Sequence, residues 1–257
     1  MDTKMLKIAV SGTYSTGKST TTEALSLITG IPRTHALTAR EILIDLLPGK
    51  RLEELSAGEL IALGLRRLEE RIHHEACEPG SFISDGSVIH EWVYGEARMK
   101  AGINPSANVF HRLLNEIMGL PIKPFYKAYM EAYGKVVKSR AKRVYDVYIH
   151  LPVEFELVSD NHRPVSEPFR ELSDKILLDT LKEINIPYYV VGGTILERVT
   201  KIVELLDLPV KMDMKEAISI AESRVKANLD IIEKDARHHT NQLKTSRLKR
   251  LKYMFRY

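Results

Sequence analysis

Nine consecutive residues carry the plainest chemistry in this sequence. Gly12-Thr13-Tyr14-Ser15-Thr16-Gly17-Lys18-Ser19-Thr20 fits the pattern G-x-x-x-x-G-K-[ST]. Glycines at both ends let the backbone wrap so that successive N–H groups face the oxygens of one anion. Lys18 would neutralise charge on the β- and γ-phosphates of a nucleotide, and the Ser19 hydroxyl suits Mg²⁺. Gly12, Ser15, Thr16, Gly17, Lys18, Ser19 and Thr20 are therefore the expected nucleotide-binding residues. The pattern has this meaning only between a strand and a helix whose N-terminus is aimed at the anion. Both flanks are present. Residues 6–10 form an apolar run that reads as a buried strand, and residues 18–28 read as a helix stopped by Gly30-Ile31-Pro32.

Two further groups sit where strands should end. Residues 81–85 are a second strand candidate with Asp85 at its C-terminal end. Ligands of open parallel sheets bind outside the carboxyl ends of the strands. Asp85 is thus expected to face Lys18 and Ser19, holding Mg²⁺ through water or accepting a proton from an attacking hydroxyl. The alternative is a carboxylate capping the next helix ahead of Gly86-Ser87. Asp160-Asn161-His162-Arg163-Pro164, with Arg170 seven residues after Arg163, lies between the third strand and the next helix. Two arginines there could close over a transferring phosphoryl group. Spacing alone does not separate that role from surface charge.

The elements that must position these groups alternate along the chain. Residues 38–47 read as a short helix, 56–76 as a long amphipathic one, and 145–152 as a third strand. Helical segments run from the second strand to about residue 143, broken at 102–105 and 119–124. A helix over 166–183, a strand over 187–191 and a helix over 194–206 follow. A short strand near 31–34 completes a five-stranded parallel sheet covered on both faces. The expected fold class is α/β, a three-layer αβα P-loop sandwich over residues 1–207, with a helical C-terminal extension over 208–257.

Composition narrows the setting. With 257 residues, 44% hydrophobic and 28% charged, the chain is a globular protein of one domain or one domain with an appendage. The single cysteine, Cys77, excludes an intramolecular disulfide and a multi-cysteine zinc site and fits a reducing compartment. No apolar run reaches the roughly 18 residues of a membrane span. The N-terminus passes straight into the first strand, so a cytoplasmic protein is expected. The net charge of +4 is uneven: residues 1–207 carry −2, and the last 22 residues hold seven basic residues and no acid.

With these motifs in view, the chain resembles the P-loop kinases related to the ribosylnicotinamide kinase domain of the bacterial NAD-biosynthesis regulator, described broadly as AAA-type ATPases. Residues 8–20, 82–94, 145–170 and 186–206 carry the resemblance; 95–143 match only as generic helices. The loop Gly12 to Thr20 is similar to the family's phosphate loop, Asp85 to its strand-end Asp, and Asp160 to Arg163 followed by Arg170 to its lid. The resemblance implies ATP- and Mg²⁺-dependent phosphorylation of a small-molecule hydroxyl. It implies Lys18, Asp85, Arg163 and Arg170 as catalytic residues, with Ser19 and Asp85 at the metal. The departures fall on the acceptor side. Leu37 stands where the family often has Glu, Gly86 where it often has Arg, and His90, followed by Glu91, where it often has a second Asp.

Arg40, His90, Glu91, Trp92 and Tyr94 are accordingly the candidate acceptor residues. Trp92, the only tryptophan, could stack on a flat group or simply pack in the core. His90 could bind an anion or accept a proton, although a lone histidine is more often structural. His73-His74-Glu75 and His238-His239 are rejected as metal sites, because adjacent residues on a helix point in different directions. In the tail, Leu243, Leu248, Leu251 and Phe255 recur at helical steps among basic residues. Such a helix packs on its own chain or a second subunit, which would make a homo-oligomer. Binding of nucleic acid or an anionic surface is the less favoured alternative. A second functional class also stays open: an NTP-dependent switch in which the altered acceptor side serves no acceptor and the basic tail binds a macromolecule.

Overall fold

The computed structural model describes residues 5–48, 50, 52, 55–101, 123–154 and 167–242. In chain order the elements are β1 (Lys7–Ser11), α1 (Lys18–Thr29), β2 (Arg33–Thr34), α2 (Ala39–Leu46), α3 (Ala57–Ala76), β3 (Phe82–Asp85), α4 (His90–Ala101), α5 (Lys123–Val144), β4 (Val147–His150), α6 (Glu167–Ile184), β5 (Tyr188–Val190), α7 (Ile195–Leu206) and α8 (Met214–Gln242). All five strands are parallel, in the order β2-β3-β1-β4-β5. This is the expected three-layer α/β sandwich.

Strand alternation explains the two cores. Successive side chains of a strand face opposite sides of the sheet. Ala9, Phe82 and Tyr148 face one side, where α4, α5 and α6 close over them with Val93, Val137 and Leu177. Ile8, Val10, Ile83 and Ile149 face the other, under α1, α7 and α8 with Leu25, Ile202 and Ala217. A small third cluster, Ile42, Leu43, Leu55 and Leu63, joins α2 to α3. Leu37 packs against that cluster, so the position where the resemblance favours an acid is apolar for a packing reason.

Helix ends follow local chemistry. Thr38 with Glu41, Ser56 with Glu59, and Thr194 with Glu197 form reciprocal capping boxes at α2, α3 and α7. The helix α1 ends at Gly30, whose φ of 71° sends its N–H back to Ser26 O. The helix α8 runs to Gln242 within the expected helical extension, with no glycine or proline after Met214 to stop it. It is part of the body: Ala217 and Ala221 are fully buried in the core shared with α1. The segments 102–122, 155–166 and 243–257 lie outside the described residues. They include Arg163, the Asp160–Pro164 run and the apolar tail positions 243, 248, 251 and 255. Among the described residues, no helix is long and apolar enough to cross a membrane.

Candidate active site

The strand order places the crevice. The chain leaves β1 toward β2 on one side and leaves β3 toward β4 on the other, so the connections diverge at the carboxyl ends of β1 and β3. Val10 pairs with Asp85 in the sheet, which brings the mouth of the glycine-rich loop beside the end of β3.

The loop is bent by residues in unusual conformations. Ser15 (φ 57°) and Gly17 (φ 81°) are left-handed, and Gly17 leads directly into α1. Gly12 has φ 146°, and a Cβ there would stand 2.7 Å from both Leu151 O and Thr16 Oγ1. Only glycine fits. Thr16 is fully buried and its hydroxyl donates to Thr13 O at 3.0 Å, so its side chain shapes the loop from within. Lys18 lies over the loop, with Nζ donating to Thr13 O and standing 3.5 Å from Thr16 Oγ1.

Asp85 sits at the centre of the charge. Arg33 Nη2, from β2, contacts Asp85 Oδ2 at 2.6 Å, and the Ser19 hydroxyl donates to the same carboxylate. Burial pushes the Asp85 carboxyl upward, but the Arg33 and Lys18 charges and the bonds from Ser19 and Arg33 outweigh it and hold it below the usual aspartate range. Arg33 also donates through Nε to Thr22 Oγ1 at 2.9 Å and contacts Glu23 at 3.4 Å. Glu23 in turn receives Arg224 of α8 at 2.8 Å. A chain of charges thus runs from the C-terminal helix to the end of β3.

A second buried guanidinium supports the loop from the other side. Arg198 of α7 donates to Thr16 O at 2.6 Å and pairs with Glu154 at 3.1 Å. Glu154 also accepts the Gly193 N–H at 2.7 Å, and that bond, with the Arg198 contact, depresses its carboxyl. Neither Arg33 nor Arg198 stands among the candidate site residues that the sequence offers. A signal existed for each: Arg33 is a charge inside a two-residue strand, and Arg198 falls on the apolar stripe of α7 beside Ile195, Val199 and Ile202.

The acceptor-side candidates divide. His90 opens α4 with its Nδ1 accepting the Ser87 N–H at 2.9 Å. Glu91 pairs with Arg67 at 3.0 Å and lines a cleft between α3, α4 and α5 with Tyr126, Tyr129 and Tyr133. Burial raises the phenols of all three, Tyr129 to about 12. Tyr94 stacks on Tyr14 of the loop, with ring centroids 4.6 Å apart, and on Phe169 at 6.4 Å. Trp92 resolves to packing: it is buried, its indole N–H donates to Met130 O at 2.9 Å, and Lys138 lies 4.5 Å over its ring. Gly134 provides the room, since a Cβ there would come within 2.7 Å of the indole nitrogen. Arg40 is half-buried in the first turn of α2. Arg170, expected on an open lid, is instead buried in the first turn of α6, donating to Glu167 Oε1 at 3.1 Å. Glu75 is likewise structural, accepting from Tyr145, Ser84 and Arg140.

A glycine-rich loop, a helix N-terminus and a strand-end carboxylate on a 2-3-1-4-5 parallel sheet define a P-loop nucleotide-binding protein. The chain belongs to the AAA domain family, whose model matches residues 7–198. No curated protein matches it in sequence. Among solved structures it is similar to deoxyadenosine kinase from M. mycoides with bound dATP, at a TM-score of 0.54 and 17% identity, covering 79% of this chain and 100% of that one. The same enzyme with bound dCTP gives a TM-score of 0.54 and 16% identity over 79% and 99%. At these identities the likeness carries the fold alone.

Proposed function

We propose that this protein is an ATP- and Mg²⁺-dependent kinase that transfers the γ-phosphoryl group to a hydroxyl of a nucleoside or similarly polar small molecule. The observation that carries this reading is the meeting of Lys18, Ser19 and Asp85 in one crevice at the carboxyl ends of β1 and β3. The resemblance to the ribosylnicotinamide-kinase group and the bacterial deoxyadenosine kinase fold both favour a nucleoside-like acceptor. A cytoplasmic location accompanies the reading.

In this proposal the backbone of residues 12–17 cradles the phosphates, and Lys18 neutralises their charge as it passes to the acceptor. The donor set suits a hard cation, since the Ser19 hydroxyl already meets the Asp85 carboxylate. Mg²⁺ held there would offset charge on the β- and γ-phosphates. Asp85 is a weak proton acceptor in this setting, because Arg33 keeps it ionised and paired. Its role is to orient, and the loose transition state of phosphoryl transfer asks little of a base. Arg198 fixes the loop through Thr16 O. Arg163 is proposed to close over the transferring group. Arg170 would have to leave Glu167 to join it.

ADP release from Mg-ATP, followed across nucleosides, nucleotides, sugars and amino-alcohols, tests the reading. One compound should raise the rate and gain one phosphoryl group by mass spectrometry, and Lys18→Ala should abolish both. Silence across the panel, with ATP still bound, would defeat it. A second reading, an NTP-dependent switch, draws on the Arg224–Glu23–Arg33–Asp85 chain that ties α8 to the site. There, hydrolysis would respond to nucleic acid or a protein and to none of the small molecules.

A further inference from the structure

Around Gly86 the polar groups are not balanced within the protein. Arg71, from α3, is only 6% exposed, and its Nη1 donates to Ser84 Oγ at 3.0 Å. No ion pair of Arg71 is present among the described residues. Its Nη2 stands 3.0 Å from where a Cβ on Gly86 would be, so the guanidinium fills space that the glycine (φ 91°) leaves open beside Asp85. His90 lies against the same glycine, with Nδ1 3.7 Å from that Cβ position. Its ring is 5% exposed.

The histidine's hydrogen bonds fix what it offers. Nδ1 meets three groups of Ser87, the N–H and the hydroxyl at 2.9 Å and the carbonyl at 3.2 Å; a backbone N–H can only donate, so the tautomer that takes up its bond carries the proton on Nε2. Nε2 is buried and has no hydrogen-bond partner among the described residues. Burial, then the charges of Lys18 and Arg71, keeps the ring neutral. A buried N–H without an acceptor is costly, and so is a buried guanidinium without a counter-charge. The neighbouring carboxylates are already taken: Asp85 is paired with Arg33, and Glu75, which Arg71 reaches only through Ser84 Oγ, is paired with Arg140 at 3.1 Å. Both needs are met by one ligand chemistry, an oxyanion that accepts from His90 Nε2 and offsets Arg71.

We propose that Arg71 and His90 form an oxyanion subsite on the acceptor side of Asp85, fitted to a phosphoryl group. The inference rests on the kinase reading for its meaning, because the phosphoryl group has two sources there. It is either a phosphate that the acceptor brings with it or the group just transferred.

The test is a titration of inorganic phosphate into the full chain saturated with Mg-ADP, read from the imidazole nitrogen resonances of ¹⁵N-histidine-labelled protein. His90→Gln assigns the His90 signals. Phosphate should shift the His90 Nε2 resonance. Arg71→Gln should weaken that binding about tenfold or more, the loss of one charge-assisted contact. Arg71→Lys, which keeps the charge, should recover most of it and guards against a simple folding defect, as does unchanged ADP binding. A non-hydrolysable ATP analogue in place of ADP separates the sources. Continued phosphate binding assigns the subsite to the acceptor's own phosphate, and its loss assigns it to the transferred group. A silent His90 resonance, or equal phosphate affinity in wild type and Arg71→Gln, overturns the proposal. Phosphate binding needs no turnover, so a protein that binds phosphate here and phosphorylates nothing would remove the kinase reading alone.

Discussion

Arg33→Met should destabilise the protein by about 2–3 kcal/mol at pH 7. Removing one partner of a buried ion pair costs about 3–5 kcal/mol, because the other charge is left desolvated. Here the two side chains keep 19% and 12% of their exposure, and Asp85 retains Ser19 and Lys18 nearby, which lowers the figure. Methionine keeps the apolar stem of the arginine and isolates the charge. The pH dependence has a definite sign. Asp85 titrates below its unfolded value, so the pair's contribution is present above about pH 4 and is lost as pH falls through the folded value. Urea unfolding followed by circular dichroism from pH 7 to pH 3 should show the gap between wild type and variant narrowing toward acid. Asp85→Asn should be less harmful in the Arg33→Met background than alone. A gap under about 0.5 kcal/mol at pH 7, or two substitutions additive to within about 0.5 kcal/mol, would refute the claim that this pair organises the site.

Arg198→Met should weaken ATP binding about tenfold by calorimetry, since the Thr16 carbonyl loses a charged donor worth about 1.5–3 kcal/mol; unchanged affinity would remove Arg198 from the loop's support. Trp92→Phe should lower stability by about 1–2 kcal/mol through the lost bond to Met130 O, with kcat and KM nearly unchanged. A KM raised about fivefold or more would return Trp92 to the acceptor pocket.

The sheet and the phosphate loop were legible because they rest on local signals: apolar runs of strand length, capping residues, and glycines at fixed spacing. Asp85 was legible because a charge at the end of an apolar strand has one natural place in a parallel sheet. What pairs with it was not. Arg33 meets Asp85 only because β2 lies beside β3, across 52 positions of sequence. Arg198 reaches Thr16 across 182. Arg71 shows the same limit in another form, since an arginine on an amphipathic helix reads as solvated until the sheet is placed beneath it. Sequence alone left Trp92 between stacking and packing for a related reason, because Gly134 and the Met130 carbonyl that enclose it belong to a helix about forty residues away.

The last described helix changes what a cut through this chain would produce. A division after residue 207 follows the shift in charge and the end of α7, beyond the family match that stops at residue 198. The fully buried Ala217 and Ala221 lie beyond it, in the same core as Leu25 and Ile28. A fragment ending there would open an apolar seam along α1, the helix that begins at Lys18, and would take from Glu23 one of its two arginines. Trimming experiments aimed at the basic tail should therefore stop after Gln242, where the seam is already closed and only the segment 243–257 is removed.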